Sequence, residues 1–123
     1  MDLDALSNRA IGLAIEVRKT IGPGLLEAVY RECLCLELAE AGIPYRSEVP
    51  IPVVYKGRVV PLGFRVDIPV DERMILEIET VSAITSVHRA QLLTYLRTSG
   101  VRVGLIVNFS VPRLKDGPMR CIV

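Results

Sequence analysis

Asp67, Glu77 and Glu79 are the residues of this 123-residue chain whose types and spacing point most directly to chemistry. They lie in two runs of β-like alternation, Arg58 to Ile68 and Met74 to Glu79, joined through Asp71-Glu72-Arg73. A three-residue loop there pairs Val70 with Met74, hence Asp67 with Glu77 and Arg65 with Glu79. Side chains alternate along a strand, so Phe64, Val66, Ile68, Leu76 and Ile78 should face a core. Arg65, Asp67, Glu77 and Glu79 should then share the other face. Two carboxylates opposite one another on a sheet repel, and solvent, a shared proton, a basic neighbour or a cation relieves that. Magnesium suits paired carboxylates and keeps waters that can serve as nucleophile. A solvated face neutralised by Arg65 and Arg73 has the same pattern, and a one-residue slip would send Asp67 and Glu77 to opposite faces.

The elements that must position these groups are legible from periodicity and punctuation. Leu6, Ala10, Leu13, Ala14, Val17 and Ile21 recur at helical spacing, predicting an amphipathic helix from Leu3 to Thr20. Gly22-Pro23-Gly24 breaks it. A second helix is expected from Leu25 to Ala41, stopped by Gly42 and Pro44. Val49 to Tyr55 reads as a strand and Lys56-Gly57 as a hairpin turn. Pro50 and Pro52 place that strand at a sheet edge, because proline donates no ladder hydrogen bond. Ser86 is a candidate cap for a third helix to Ser99, with Gly100 as its stop. The apolar run Val101 to Phe109 suits a strand covered on both faces, and Met119 to Val123 a short last strand. The order is ααβββαβ, without repeats or low-complexity segments.

Composition narrows the function classes. The length is that of one domain, 1–123, and half the residues are hydrophobic. A net charge of +1 argues against holding nucleic acid by bulk electrostatics alone. Cys33, Cys35 and Cys121 lack the paired spacing of a zinc site, which favours reduced, buried thiols and a cytoplasmic setting. Neither a signal peptide nor a membrane-length apolar run is visible, so no membrane association is expected. There is no phosphate-cradling P-loop, and no nucleophile elbow or convincing partner for the single histidine.

On the helices, Glu27 falls in a first turn, where the helix dipole favours negative charge, and Tyr30 shares its face at i+3. His88, Gln91 and Tyr95 line one stripe of the third helix, while Leu92, Leu93 and Leu96 look elsewhere. Taken singly, Glu27 reads as a dipole-favoured residue, Tyr30 as a core or boundary residue and His88 as a surface histidine near a helix start.

Gly24-Leu25-Leu26-Glu27-Ala28-Val29-Tyr30 resembles the signature of the GxxExxY family, small domains assigned to the PD-(D/E)xK nuclease superfamily. The resemblance continues through Val49-Pro50-Ile51-Pro52-Val53 and Lys56-Gly57 to Gln91-Leu92-Leu93-Thr94-Tyr95-Leu96 and Val103-Gly104-Leu105-Ile106-Val107-Asn108-Phe109, nearly the whole chain. It implies an α/β fold with an αβββαβ core, a mixed central sheet flanked by helices, plus an extra N-terminal helix. It implies a metal site of Asp67 and Glu77 with Glu27 joining from its helix, and Mg2+ or Mn2+ as the ion. Gln91 and Tyr95 match the Q-x-x-x-Y motif of RecB-like branches. The implied activity is phosphodiester hydrolysis, with nucleic acid, DNA or RNA, as the partner.

Glu79 stands where the family's E-x-K motif has lysine. That lysine orients or activates the attacking water, and losing one such group costs on the order of 100- to 10,000-fold in rate. Three readings follow: a nuclease in which Glu79 adds a metal ligand and Arg65, Arg89 or His88 supplies the positive charge; a non-catalytic nucleic-acid-binding or protein-interaction module; or an inert scaffold with Glu79 paired to Arg65. The near-neutral charge leaves room for a homodimer or a partner protein to supply a basic surface.

Overall fold

Apolar stripes and turn residues resolve, in a computed structural model that describes residues 1–114 and 118–123 and only the backbone of Leu62, into three helices and six strands. Helix α1, Leu3–Ile21, is capped by Asp2, which accepts the Ala5 N–H at 2.7 Å. It buries Leu6, Ala10, Leu13, Ala14 and Val17, the stripe expected from its spacing. Helix α2, Glu27–Glu40, begins two residues later than expected, with Leu26 still extended. Strands β1, Val49–Tyr55, and β2, Arg58–Val66, form a hairpin around Lys56-Gly57. Strands β3, Ile68–Val70, and β4, Met74–Glu79, follow. Helix α3, Ser86–Ser99, crosses to β5, Val103–Asn108, and β6, Pro118–Ile122, ends the chain.

The expected single strand Arg58 to Ile68 is therefore two strands that part at Asp67, and the order is ααββββαββ. β1 and β2 form a sheet of their own. The main sheet runs β3-β4-β5-β6, with β4 parallel to β5 and the other pairs antiparallel. This is the mixed α/β architecture implied by the resemblance, with the extra N-terminal helix.

The main sheet is covered on both faces. Met74, Leu76, Ile78, Val103, Leu105 and Val107 pack with the buried stripes of α1 and α2. Ile75 and Ile106, which alternate with them, pack against Leu92 and Leu96 of α3. The uninterrupted burial of β5 follows from its place between β4 and β6. The helix lies close to that strand at Gly104, where an added Cβ would stand 2.6 Å from a Leu92 methyl.

Three sequence expectations need correction. Phe64 and Val66 do not share a face with Ile68: Val66 joins the α3-side cluster and Phe64 rests its ring on Tyr95, centroids 5.0 Å apart. The break at Asp67 resets the alternation. Arg65 consequently opposes Pro50 of β1 rather than Glu79. The cap of α3 is Thr85, not Ser86.

Prolines lie at the borders of both sheets, in β1 (Pro50, Pro52), β2 (Pro61), β3 (Pro69) and β6 (Pro118), while β4 and β5 have none. The three cysteines are free, Cys35 and Cys121 buried and Cys33 half-buried. Among the described residues no helix is long and apolar enough to cross a membrane.

The α3–β5 contact gives a first prediction. Gly104→Ala should lower stability by about 1–3 kcal/mol, read from the urea midpoint. The loss should shrink in a Leu92→Ala background, where the colliding methyls are gone. Equal losses in both backgrounds would mean that the close approach is not the cause.

Candidate active site: a half-buried acidic cluster

The register of the second hairpin is the one the loop length predicts. Val70 opposes Met74 and Ile68 opposes Leu76. The next rung, Asp67 with Glu77, is made by side chains. The Asp67 N–H donates to Glu77 Oε1 at 3.2 Å, and the Ile78 N–H donates to Asp67 Oδ2 at 2.7 Å. Each carboxyl is thus fixed by the opposite strand's backbone.

Glu77 is 9% exposed. Burial, then the neighbouring Asp67 charge, push its carboxyl up to about 9. Asp67 is also raised, chiefly by burial, against the pull of the Ile78 N–H. Both carboxyls are thus pushed toward the protonated form, Glu77 the further of the two. Like charges forced together out of water keep a proton between them unless a cation takes its place.

Glu79 lies one alternation further along β4. Burial raises its carboxyl and Asp67 adds to this, while His88 opposes it. His88 Nε2 stands 4.0 Å from Glu79 Oε2. Its Nδ1 accepts the Thr85 N–H at 2.9 Å as half of a capping box, which leaves Nε2 as the ring nitrogen turned toward Glu79. This histidine is at once a helix cap and a neighbour of the acids. Behind Glu79, Asn108 is 1% exposed and bonded through both its amide nitrogen and its amide oxygen. It donates to Val81 O at 2.7 Å and accepts from Val81 N at 3.2 Å and Ser110 N at 3.1 Å. Asn108 fixes the chain as it leaves β4, a role hidden in the sequence inside an apolar strand.

Glu27 enters from the first turn of α2. Burial raises its carboxyl, and Asp67 and Glu79 raise it further, so the three acids lie within electrostatic reach of one another. Its position depends on Tyr30, whose hydroxyl donates to Gly22 O at 2.7 Å and accepts the Leu25 N–H at 3.3 Å. The Tyr30 ring stacks on Phe109 at 4.4 Å. Tyr30 is therefore a core residue that locks the turn ahead of Glu27.

Tyr95 faces the cluster from α3. Its phenol is raised by burial, then by Glu77, Asp67 and Glu79. Gln91, one turn earlier, is exposed, so only the tyrosine of that pair is drawn to the acids.

The cations differ from those expected. Arg73 binds Asp71 at 2.8 Å and Met1 O at 2.9 Å, away from the cluster. Arg65 reaches Glu48 rather than Glu79, so the pairing that would leave an inert scaffold is not formed. Arg31, four residues after Glu27, is the arginine that lowers both Glu27 and Asp67. Its place one helical turn from Glu27 was the available signal.

The paired hard oxygens of Asp67 and Glu77 have the donor chemistry of a magnesium or manganese site, and a cation between them would relieve the repulsion that raises both carboxyls. Among the described residues no group of three or more His, Cys, Asp and Glu side chains is gathered tightly enough to hold an ion. Glu27 is a neighbour of the pair rather than part of a closed cage. Magnesium is commonly held by one or two carboxylates plus water and substrate phosphate, which two ligands and an open side satisfy.

A family model described as the PD-(D/E)XK nuclease superfamily matches residues 4–121. No curated protein and no solved structure matches the chain.

The Glu77 proton makes stability depend on pH. The folded chain keeps a proton that the unfolded chain releases near 4.5, so stability should fall as pH rises from about 4.5 to about 9 and level off above. Each excess proton contributes a slope of at most about 1.4 kcal/mol per pH unit. Urea midpoints across this range should show the decline, flattened in Glu77→Gln. An unchanged slope in that variant would assign the proton elsewhere.

Proposed function

The chain belongs to the PD-(D/E)XK nuclease superfamily, and from that premise we propose that it is a divalent-metal-dependent domain acting on phosphodiester bonds of DNA or RNA. The observation that carries this reading is the pairing of half-buried Asp67 with buried Glu77, each carboxyl held by the other strand's N–H. Asp67 and Glu77 hold Mg2+ or Mn2+, and Glu27 joins through water or directly. Such a cation, when bound, supplies Lewis acidity toward a phosphoryl oxygen. Tyr95 offers its hydroxyl to substrate or water from above, and the exposed Gln91 extends the contact along α3. On the Gly24–Tyr30 motif we assign the chain to the GxxExxY group, as one domain over 1–123 working in the cytoplasm.

Glu79 sets the level of activity. At this position a carboxylate cannot steady charge developing on a phosphate, so the wild-type site hydrolyses slowly. The same substitution supports the second reading, a non-catalytic nucleic-acid-binding or protein-interaction module on this fold.

Manganese titrated calorimetrically into wild type should bind and release a proton, with affinity rising with pH because the ligands must deprotonate. Binding should vanish in Asp67→Ala. Glu79→Lys should raise metal-dependent cleavage of a nucleic-acid panel by on the order of 100-fold or more. A fall instead would make Glu79 itself part of an adapted enzyme. Folded protein that neither binds manganese nor cleaves in either form would establish the non-catalytic module.

A further inference from the structure

Two arginines from different elements converge on one carboxylate oxygen beside the acidic pair. Arg31 Nη2 of α2 lies 3.5 Å from Glu48 Oε1, and Arg65 Nη1 of β2 lies 3.6 Å from the same atom. Both distances are long for N–H···O bonds, so Glu48 holds the guanidinia as loose ion pairs. The Arg31 side chain is 13% exposed, yet its Nε is buried without a hydrogen-bond partner. A buried donor left unused is costly, and here it belongs to a cation next to Asp67. Glu48 itself is fixed at this spot: its N–H donates to Asp67 O at 2.8 Å, with φ at 52° in the left-handed region.

A guanidinium fork fits phosphate as well as it fits carboxylate. We propose that Arg31 and Arg65 form a two-armed clamp for a substrate phosphate, held on the Glu48 carboxylate until that phosphate displaces it. The clamp rests on the phosphodiester reading of the site and adds the group that grips the strand. It also explains how a chain of net charge +1 can hold a polyanion beside several acids: the positive charge is concentrated at the acidic pair instead of spread over a basic face. Glu48 acts as a resident competitor that covers the arginines when no phosphate is present.

The test measures binding of a short labelled duplex and the corresponding single strand by anisotropy over a salt series. Calcium replaces manganese to favour binding over cleavage. Glu48→Gln should tighten binding roughly threefold or more, since it removes a competing charge of ion-pair strength. Arg31→Gln and Arg65→Gln should each weaken binding and reduce the slope of log K against log salt by about 0.7–0.9. Glu48→Gln should give no gain once both arginines are replaced. If Arg31→Gln fails to fold, Arg31→Lys, which keeps the charge and loses the fork, and the exposed Arg65→Gln carry the test. Unchanged slopes, or weaker binding in Glu48→Gln, would overturn the clamp while leaving the nuclease reading intact.

Inorganic phosphate, followed by the arginine Nε–H resonances, separates the two ideas. Phosphate shifting Arg31 and Arg65, more strongly in Glu48→Gln, without any nucleic-acid binding would sink the nuclease reading and keep the clamp. Silence in both experiments would remove the clamp as well.

Discussion

The structure turns on one exchange of hydrogen bonds. Where the hairpin of β3 and β4 should continue its backbone ladder, the Asp67 and Glu77 carboxyls take the backbone N–H groups of the facing strand. That substitution ends β3 and releases the chain into β2, which pairs with β1 instead. It also resets the side-chain alternation, so that Phe64 and Val66 turn toward α3 and Phe64 supports Tyr95. The acid pair and the branching of the two sheets are therefore one feature. Two carboxyls are brought close together at the place where the sheet divides.

Around that point the neighbouring elements serve mainly to hold acids that would otherwise move apart. Tyr30 is spent on the turn before Glu27, Asn108 on the exit from β4 after Glu79, and Thr85 with His88 on the start of α3. On the far side, Arg18 of α1 donates to the carbonyls of Phe109 and Val111 at 3.1 and 3.2 Å, tying the end of β5 to the N-terminal helix. Several buried or half-buried acids in one place oppose folding, and the hydrogen bonds of Tyr30, Asn108 and the α3 cap hold the segments that carry them.

Much of this was legible in the sequence because short-range rules govern it. The loop Asp71 to Arg73 fixed the pairing of Val70 with Met74, and helical spacing fixed the buried stripe of α1. The Asp67–Glu77 pairing came from the same local reasoning. What escaped depended on distant partners or on a broken rule. Alternation alone does not show that Asp67 interrupts the strand, so it sets Arg65 opposite Glu79, whereas the partner of Arg65 is Glu48. Asn108 was invisible inside an apolar run, and Arg31 gave no signal beyond its place one turn after Glu27. Thr85 displaced Ser86 as cap because His88 completes a reciprocal bond with it three residues on, a pairing that residue preferences do not encode.

The distribution of proline has its own consequence. Every strand at a sheet border carries at least one, and the two central strands carry none; the outer side of β3 is in addition taken by the Pro44–Glu48 segment, with Arg46 N–H donating to Pro69 O at 2.9 Å. A residue without an N–H is a poor template for an incoming strand. Both sheets are thereby guarded against extension by another chain, even though Val54, Tyr55 and Val59 leave the hairpin tip apolar and exposed. Growth of the sheet into a fibre, or dimerisation by shared strands, is discouraged along every border.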